Sequence, residues 1–217
     1  MNKIDYLLTI LLGIVIAYTY KKFFTKLGKF DAINYRSVHA TKATKTGGIA
    51  VFTTLFLISI YFYISQQKLF DFSLLIPLGI MFIVGVYDDF YNADFKLKFF
   101  LQIIVAKILI DQGFVIDHFH GVLGLQEIPR VASQIFTVFV FLVVVNAINF
   151  IDGIDGLAIT ELIKVVLVVE LFSLTKTPIF ILGMIFTLSS LPLYYFNYKK
   201  ENKVFLGDAG SLLFGTI

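Results

Sequence analysis

The stretch Asn146 to Ala158, NAINFIDGIDGLA, places two carboxylates, Asp152 and Asp155, and two side-chain amides, Asn146 and Asn149, between the apolar runs Val138–Val145 and Leu157–Leu174. One Asp at the centre of a membrane helix costs roughly 2.5–3.5 kcal/mol, so such a group belongs at a membrane surface or in a wet cavity. Gly153 and Gly156 permit tight turns, and Asp152 and Asp155 are three apart, hence neighbours on a helical turn. The bland alternative is a capped turn with Asp155 as N-cap of the next helix. A cap needs one Asp, whereas this segment supplies two Asp and two Asn.

Three further stretches share this character. In GVYDDF, Asp88 and Asp89 are adjacent at the end of an apolar run, and adjacent carboxylates repel unless a cation sits beside them. The pair therefore suits a divalent metal or phosphate chemistry; a solvated helix end is the alternative. Lys96 and Lys98 follow, and Gln102 lies one helical turn beyond Lys98 on the same face. Lys groups of this kind hold phosphates as point charges. In VFLGDAGSLLFG, Asp208 stands between Gly207 and Gly210 with Phe205 three residues earlier. Asp208 could be an N-cap, and Phe205 either stacks on a base or anchors at the interface. In VHATKATKTGGIAVF, His39, Lys42 and Lys45 precede Gly47 and Gly48. Binding to anionic headgroups explains part of that charge.

These stretches need elements to position them, and composition says which. The 217 residues are 58% hydrophobic and 15% charged, with mean hydropathy +0.87, which is too apolar for a soluble domain. The chain is expected to be an all-α, polytopic membrane protein in one domain, 1–217. Apolar runs at Tyr6–Tyr20, Gly47–Tyr63, Ser73–Tyr87, Phe99–Ile116, Val131–Ile148, Leu157–Leu174 and Ile179–Phe196 predict about seven transmembrane helices, with an eighth opening at Leu212. The first run lacks a small-residue cleavage site and reads as a retained helix. Absence of Cys excludes disulfides, thiolate metal sites and a Cys nucleophile. The net charge of +3 is mild, and no nucleic-acid partner is expected.

Lys21, Lys22, Lys26, Lys29, Arg36, Lys42 and Lys45 crowd the first loop, while the next offers only Lys68. The first loop is therefore expected inside and the amino terminus outside. Alternation then puts all four polar stretches on the cytoplasmic face. Asp117, His118 and His120 imitate a metal site but fall outside, where a hydrated hairpin is expected.

In their order here, VHATKATKTGGIAVF, GVYDDF with Lys98 and Gln102, NAINFIDGIDGLA and VFLGDAGSLLFG resemble the polyprenyl-phosphate N-acetylhexosamine-1-phosphate transferases. GGIAVF and NFIDG resemble the GlcNAc-type branch more than the muramoyl-pentapeptide translocase branch. The resemblance implies transfer of N-acetylhexosamine 1-phosphate, GlcNAc-1-phosphate above all, from a UDP-sugar to undecaprenyl phosphate. UMP leaves, Mg2+ or Mn2+ assists, and the product initiates a cell-envelope polysaccharide at the bacterial inner (cytoplasmic) membrane. Membrane lipids surround the chain, and a homodimer is an open option. The resemblance further implies Asp208 as metal ligand with Asp88 as a second contact, Asp88 or Asp89 orienting or deprotonating the lipid phosphate, and Lys98 and Lys45 binding phosphates. Asn146, Asn149, Asp152, Asp155 and Phe205 would line the nucleotide pocket, with His39 a further substrate-binding candidate.

Lys42 and Thr44 stand where prolines are usual in the family, and Asn92 where many relatives have a third acidic residue. Relatives carry more spans and a His-rich loop after the last motif, so the chain is expected to be incomplete at its carboxyl end. An inactive membrane scaffold and a muramoyl-pentapeptide transferase-like enzyme are the alternatives. A cation transporter would need charges along a path through the spans. Lys107 with Asp111, and Glu161 with Lys164, are the paired candidates, and each pair can neutralise itself.

Overall fold

A computed structural model of the chain describes residues 3–30, 43–124, 126–172, 179–199 and 202–217. Its helices are α1 (Lys3–Lys26), α2 (Gly47–Ile64), α3 (Leu75–Tyr91), α4 (Phe95–Asp111), α5 (Arg130–Ile151), α6 (Leu157–Phe172), α7 (Phe180–Asn197) and α8 (Gly207–Thr216). Each apolar run of the sequence has become a helix, because in hydrocarbon a helix satisfies its own backbone. Among the described residues, five segments are long and apolar enough to cross a membrane: Lys3–Lys26, Gly47–Ile64, Phe72–Tyr91, Arg130–Ile151 and Phe180–Asn197. The other two expected spans fall on α4 and α6, which are shorter at 17 and 16 residues and carry Lys107, Asp111, Glu161 and Lys164. Their charges pair one turn apart, Lys107 with Asp111 and Lys164 with Glu161 at 2.8 Å, and so neutralise themselves. Large apolar side chains face outward along the lipid-length helices, Leu7, Leu11 and Val15 of α1 among them.

The all-α expectation needs one amendment. Two strands of three residues, β1 (Ala43–Lys45) and β2 (Lys203–Phe205), pair in parallel with Ala43 opposite Lys203, Thr44 opposite Val204 and Lys45 opposite Phe205. They join the end of the basic loop to the last motif. Strands this short show no readable alternation in sequence.

The short helix α8 is the hub, packed against α2, α3 and α5. Ala209, Leu212 and Leu213 are fully buried in it. Close approach depends on glycine: a Cβ on Gly48 would lie 2.1 Å from the Gly210 nitrogen, and one on Gly85 would lie 2.4 Å from the Ala209 Cα. Backbone thus touches backbone on two sides of α8, which is how small residues let membrane helices pack without a hydrophobic drive between them. A backbone hydrogen bond from Gly48 N–H to the Leu206 carbonyl, 2.7 Å, fixes the same junction.

Helices α3 and α4 form a tight hairpin. Asn92 ends α3 in the left-handed region at φ 52°, a conformation Asn tolerates better than most residues, and Asp94 caps α4 by accepting from the Lys96 N–H at 3.1 Å. Asn92, where the resemblance leads one to expect an acidic residue, is here a turn residue. At the far end of α4, residues 117–119 and 126–128 lie against one another as the arms of the expected hairpin, closed by Ile128 N–H to the Asp117 carbonyl at 2.9 Å and Phe119 N–H to the Gln126 carbonyl at 2.7 Å.

Candidate active site

The amino terminus of α8 gathers three of the four motifs, and β1 brings in the end of the fourth. A helix start leaves N–H donors without intrahelical partners and carries partial positive charge. Here two carboxylates from other helices satisfy them. Asp89, at the end of α3, accepts from the Asp208 N–H with Oδ1 and the Ala209 N–H with Oδ2, both at 3.0 Å. Asp152, the residue capping α5, accepts from the Gly207 N–H. Asp89 keeps only 1% of its side chain exposed, and Lys45 of β1 approaches it at 3.7 Å. That burial separates Asp89 from its neighbour.

Asp88 pairs instead with Lys98 on α4, accepts from the Ala93 N–H at 2.8 Å, and lies within hydrogen-bonding reach of the Asp208 carboxyl. Adjacent residues on a helix point about 100° apart, so one carboxylate is committed to capping α8 while the other faces Asp208. Asp208 is in turn held by Asn149, whose amide donates to Asp208 Oδ1 and, at 2.8 Å, to Ser211 Oγ. Asp208 caps nothing itself: the N-cap position of α8 is Leu206, and no side chain caps there from within the helix. One turn earlier on α5, Asn146 donates to Gln102 Oε1 at 2.9 Å and to the Leu142 carbonyl at 2.7 Å. Gln102 is fully buried. These amides form a polar ladder beneath Asp208.

Crowding of carboxylates has an electrostatic signature. Burial, then the nearby Asp208 and Asp89, push Asp152 well above the usual carboxylate range. Burial also raises Asp208; Asn149 opposes the rise, and Asp88 adds to it. Two carboxyl groups within hydrogen-bonding reach of one another need a shared proton or a cation between them. The donors here are all oxygen, which suits Mg2+ or Mn2+ rather than a softer ion. Among the described residues no three His, Asp or Glu side chains converge into a ready-made metal cage. The fit is therefore to a cation that brings water or ligand oxygens to complete its shell, as Mg2+ does.

The expectation that Asp152 and Asp155 act as helical-turn neighbours is corrected. Residues 152–156 are a turn rather than helix, and the two side chains part. Asp152 joins the α8 terminus, whereas Asp155 pairs with Lys203 of β2 and its carbonyl accepts from the Tyr198 hydroxyl at 2.9 Å. Asn146 and Asn149 both sit inside α5. Phe205 lies in β2 opposite Lys45, two residues after Lys203. His39 lies outside the described residues.

Sequence reasoning missed Ser211 and Lys203. Ser211 stands three residues after Asp208, a spacing that puts it on the same helix face. Lys203 carried no signal apart from the positive charge expected of any inside loop. On the opposite end of α4, His118 Nδ1 accepts from the His120 N–H at 2.9 Å, which commits that ring nitrogen to a local turn.

Known proteins bear on this geometry in two ways. The profile of Glycosyl transferase family 4 matches residues 71–217, which hold α3 to α8 and every site residue named above except Lys45 and His39. A protein of Bacillus subtilis (strain 168) described as "Probable undecaprenyl-phosphate N-acetylglucosaminyl 1-phosphate transferase" is 27% identical over 218 residues. The match takes in 98% of this chain and 60% of that relative, so the chain spans less than two-thirds of the relative's length. With most of its length matched by the profile, and its motifs drawn together at the start of α8, the chain belongs to glycosyl transferase family 4.

Proposed function

We propose that this chain carries the phosphotransfer site of an enzyme that moves GlcNAc 1-phosphate from UDP-GlcNAc to undecaprenyl phosphate and releases UMP. The observation that carries the proposal is the meeting of Asp88, Asp89, Asp152 and Asp208 at one helix start, with Lys45 and Lys98 beside them. Transfer between two anionic substrates needs neutralised charge at the diphosphate and an oriented phosphate nucleophile. Asp208 and Asp88 would hold Mg2+ or Mn2+, which supplies that neutralisation when bound.

The residues divide the remaining work. Asp88 is the carboxylate that orients the lipid phosphate or takes its proton, and Lys98 sets its position. Asp89 and Asp152 hold the start of α8 in place and so place Asp208, while Asn149 turns its carboxylate. Lys45 meets phosphate at the edge of β1. Phe205 and Asp155 face the nucleotide. The Lys and Arg bias puts this end of the bundle in the cytoplasm and the amino terminus outside, with seven helices crossing the bacterial inner membrane.

The test is product identity. Membranes containing the protein, given UDP-GlcNAc, undecaprenyl phosphate and Mg2+, should release UMP and form a lipid-linked sugar diphosphate. Release of UDP would mean cleavage on the sugar side and would overturn the phosphotransferase reading.

A further inference from the structure

Lys203 has a position that neither topology nor phosphotransfer explains. It is the first residue of β2, and its ammonium meets the Asp155 carboxylate with only 16% of the Lys side chain exposed. The strand beneath it is fixed on both sides. It pairs with β1 over its whole length, and Asn197 at the end of α7 donates to the Val204 carbonyl at 3.0 Å, with Asn197 itself buried. Asp155, by contrast, belongs to neither helix nor strand. It sits in the turn between α5 and α6, and the space where a side chain on Gly153 would stand is open to 4 Å. The Tyr198 hydroxyl holds the Asp155 carbonyl, a contact with the backbone rather than with the carboxylate. Order thus passes from the strand to the turn.

Strand geometry adds the direction. Residues two apart in a strand face the same side, so Lys203 and Phe205 share a face while Val204 is buried on the other. The ion pair therefore brings the Asp155 carboxylate to the face of β2 that carries Phe205. A half-buried ion pair of this kind holds geometry better than an exposed one, because fewer waters compete for it.

We infer that Lys203 is a positioning residue: its ammonium, anchored on β2, holds the Asp155 carboxylate beside Phe205 and so presents an oriented acceptor to the base of the nucleotide. The ligand chemistry is a nucleobase with an N–H donor, read by a carboxylate on one edge and an aromatic ring on the face. Lys203 acts through Asp155 and does not itself contact phosphate. This rests on the reading of the site as one for a nucleotide sugar.

The test uses the detergent-solubilised chain with UMP and uridine as probes, by calorimetry or competition, and melting without ligand as the fold control. K203M should weaken UMP and uridine alike by about tenfold, the loss of one charge-assisted contact. K203R should recover binding to within about threefold. D155N should weaken both probes similarly, and K203M/D155N should be no worse than D155N alone, because the two residues act as one unit. Weakened UMP with unchanged uridine would make Lys203 a phosphate contact and overturn the inference. So would additive losses, unchanged binding in K203M, or unchanged binding in D155N. If K203M does not fold, K203R against K203Q carries the same comparison. No UMP binding by the unaltered chain would overturn the site reading itself, and this inference with it.

Discussion

Two clusters of acidic and basic residues sit at the two ends of α4, about 25 Å apart for a helix of its length. As strings of letters they look alike. At one end Asp88 and Asp89 precede Lys96 and Lys98; at the other Asp117, His118 and His120 precede Glu127 and Arg130. Structure separates them by what they touch. The carboxylates of the first cluster reach other helices and are committed to the start of α8, while the second closes on itself, with His118 accepting from His120 and a bridge from His118 to Glu127. Long-range commitment of a buried charge is expensive to maintain and so marks chemistry, whereas a local turn explains a hairpin completely.

The largest effect should come from removing the charge at the centre of the first cluster. Asp208→Asn keeps the size of the side chain and loses its charge, and turnover in membranes should fall by about a thousandfold with melting nearly unchanged. Asp117→Asn should stay within about twofold of the unaltered protein. Equal losses in the two variants would erase the distinction between the ends.

The adjacent carboxylates sharpen it. Asp89→Ala strips the acceptor from two buried backbone N–H groups and should cost about 2–5 kcal/mol of stability in thermal or denaturant melts. Asp88→Ala removes a repulsion with Asp208 while losing the Lys98 pair and the acceptor of the Ala93 N–H, and stability should fall by less, about 1–2 kcal/mol. Reversed magnitudes would mean that the roles of the two residues have been exchanged.

That division was not legible in the sequence, and the reason is geometric. Convergence of the four motifs followed from span alternation and Lys bias, because those depend on whole helices and survive small errors in their ends. Which of Asp88 and Asp89 caps α8 depends on a rotation of one residue within α3. The parting of Asp152 from Asp155 depends on residues 152–156 being a turn, and spacing alone cannot choose between turn and helix. β1 and β2 are too short to show alternation, so Lys203 and its hold on Asp155 were hidden with them. Asn149 and Asn146 were visible as unusual amides in an apolar run, though their partners, Asp208 and Gln102, are far away in the chain.

A smaller effect concerns pH. Burial, with Asp208 and Asp89 nearby, raises Asp152 above its ordinary value, so the folded chain binds a proton there more tightly than the unfolded chain. Stability from that proton is present below the ordinary carboxylate value, near pH 4, and is lost as pH rises towards the raised value. In a chelator, the melting temperature should therefore fall with rising pH by a few degrees, and Mg2+ or Mn2+ should flatten the slope by neutralising the cluster. A melting temperature that rises with pH in chelator would contradict the crowding of carboxylates at α8.

The site depends on the end of the basic loop and the last motif meeting at one end of the bundle, and β1 against β2 is where they touch. The chain has no Cys, so a pair placed at Thr44 and Val204, partners in the strand register, gives a clean probe in membranes. Mild oxidation should cross-link Thr44→Cys with Val204→Cys rapidly and nearly completely, while Thr44→Cys with His118→Cys should stay reduced. Failure of the first pair together with cross-linking of the second would contradict a site built where the four motifs converge.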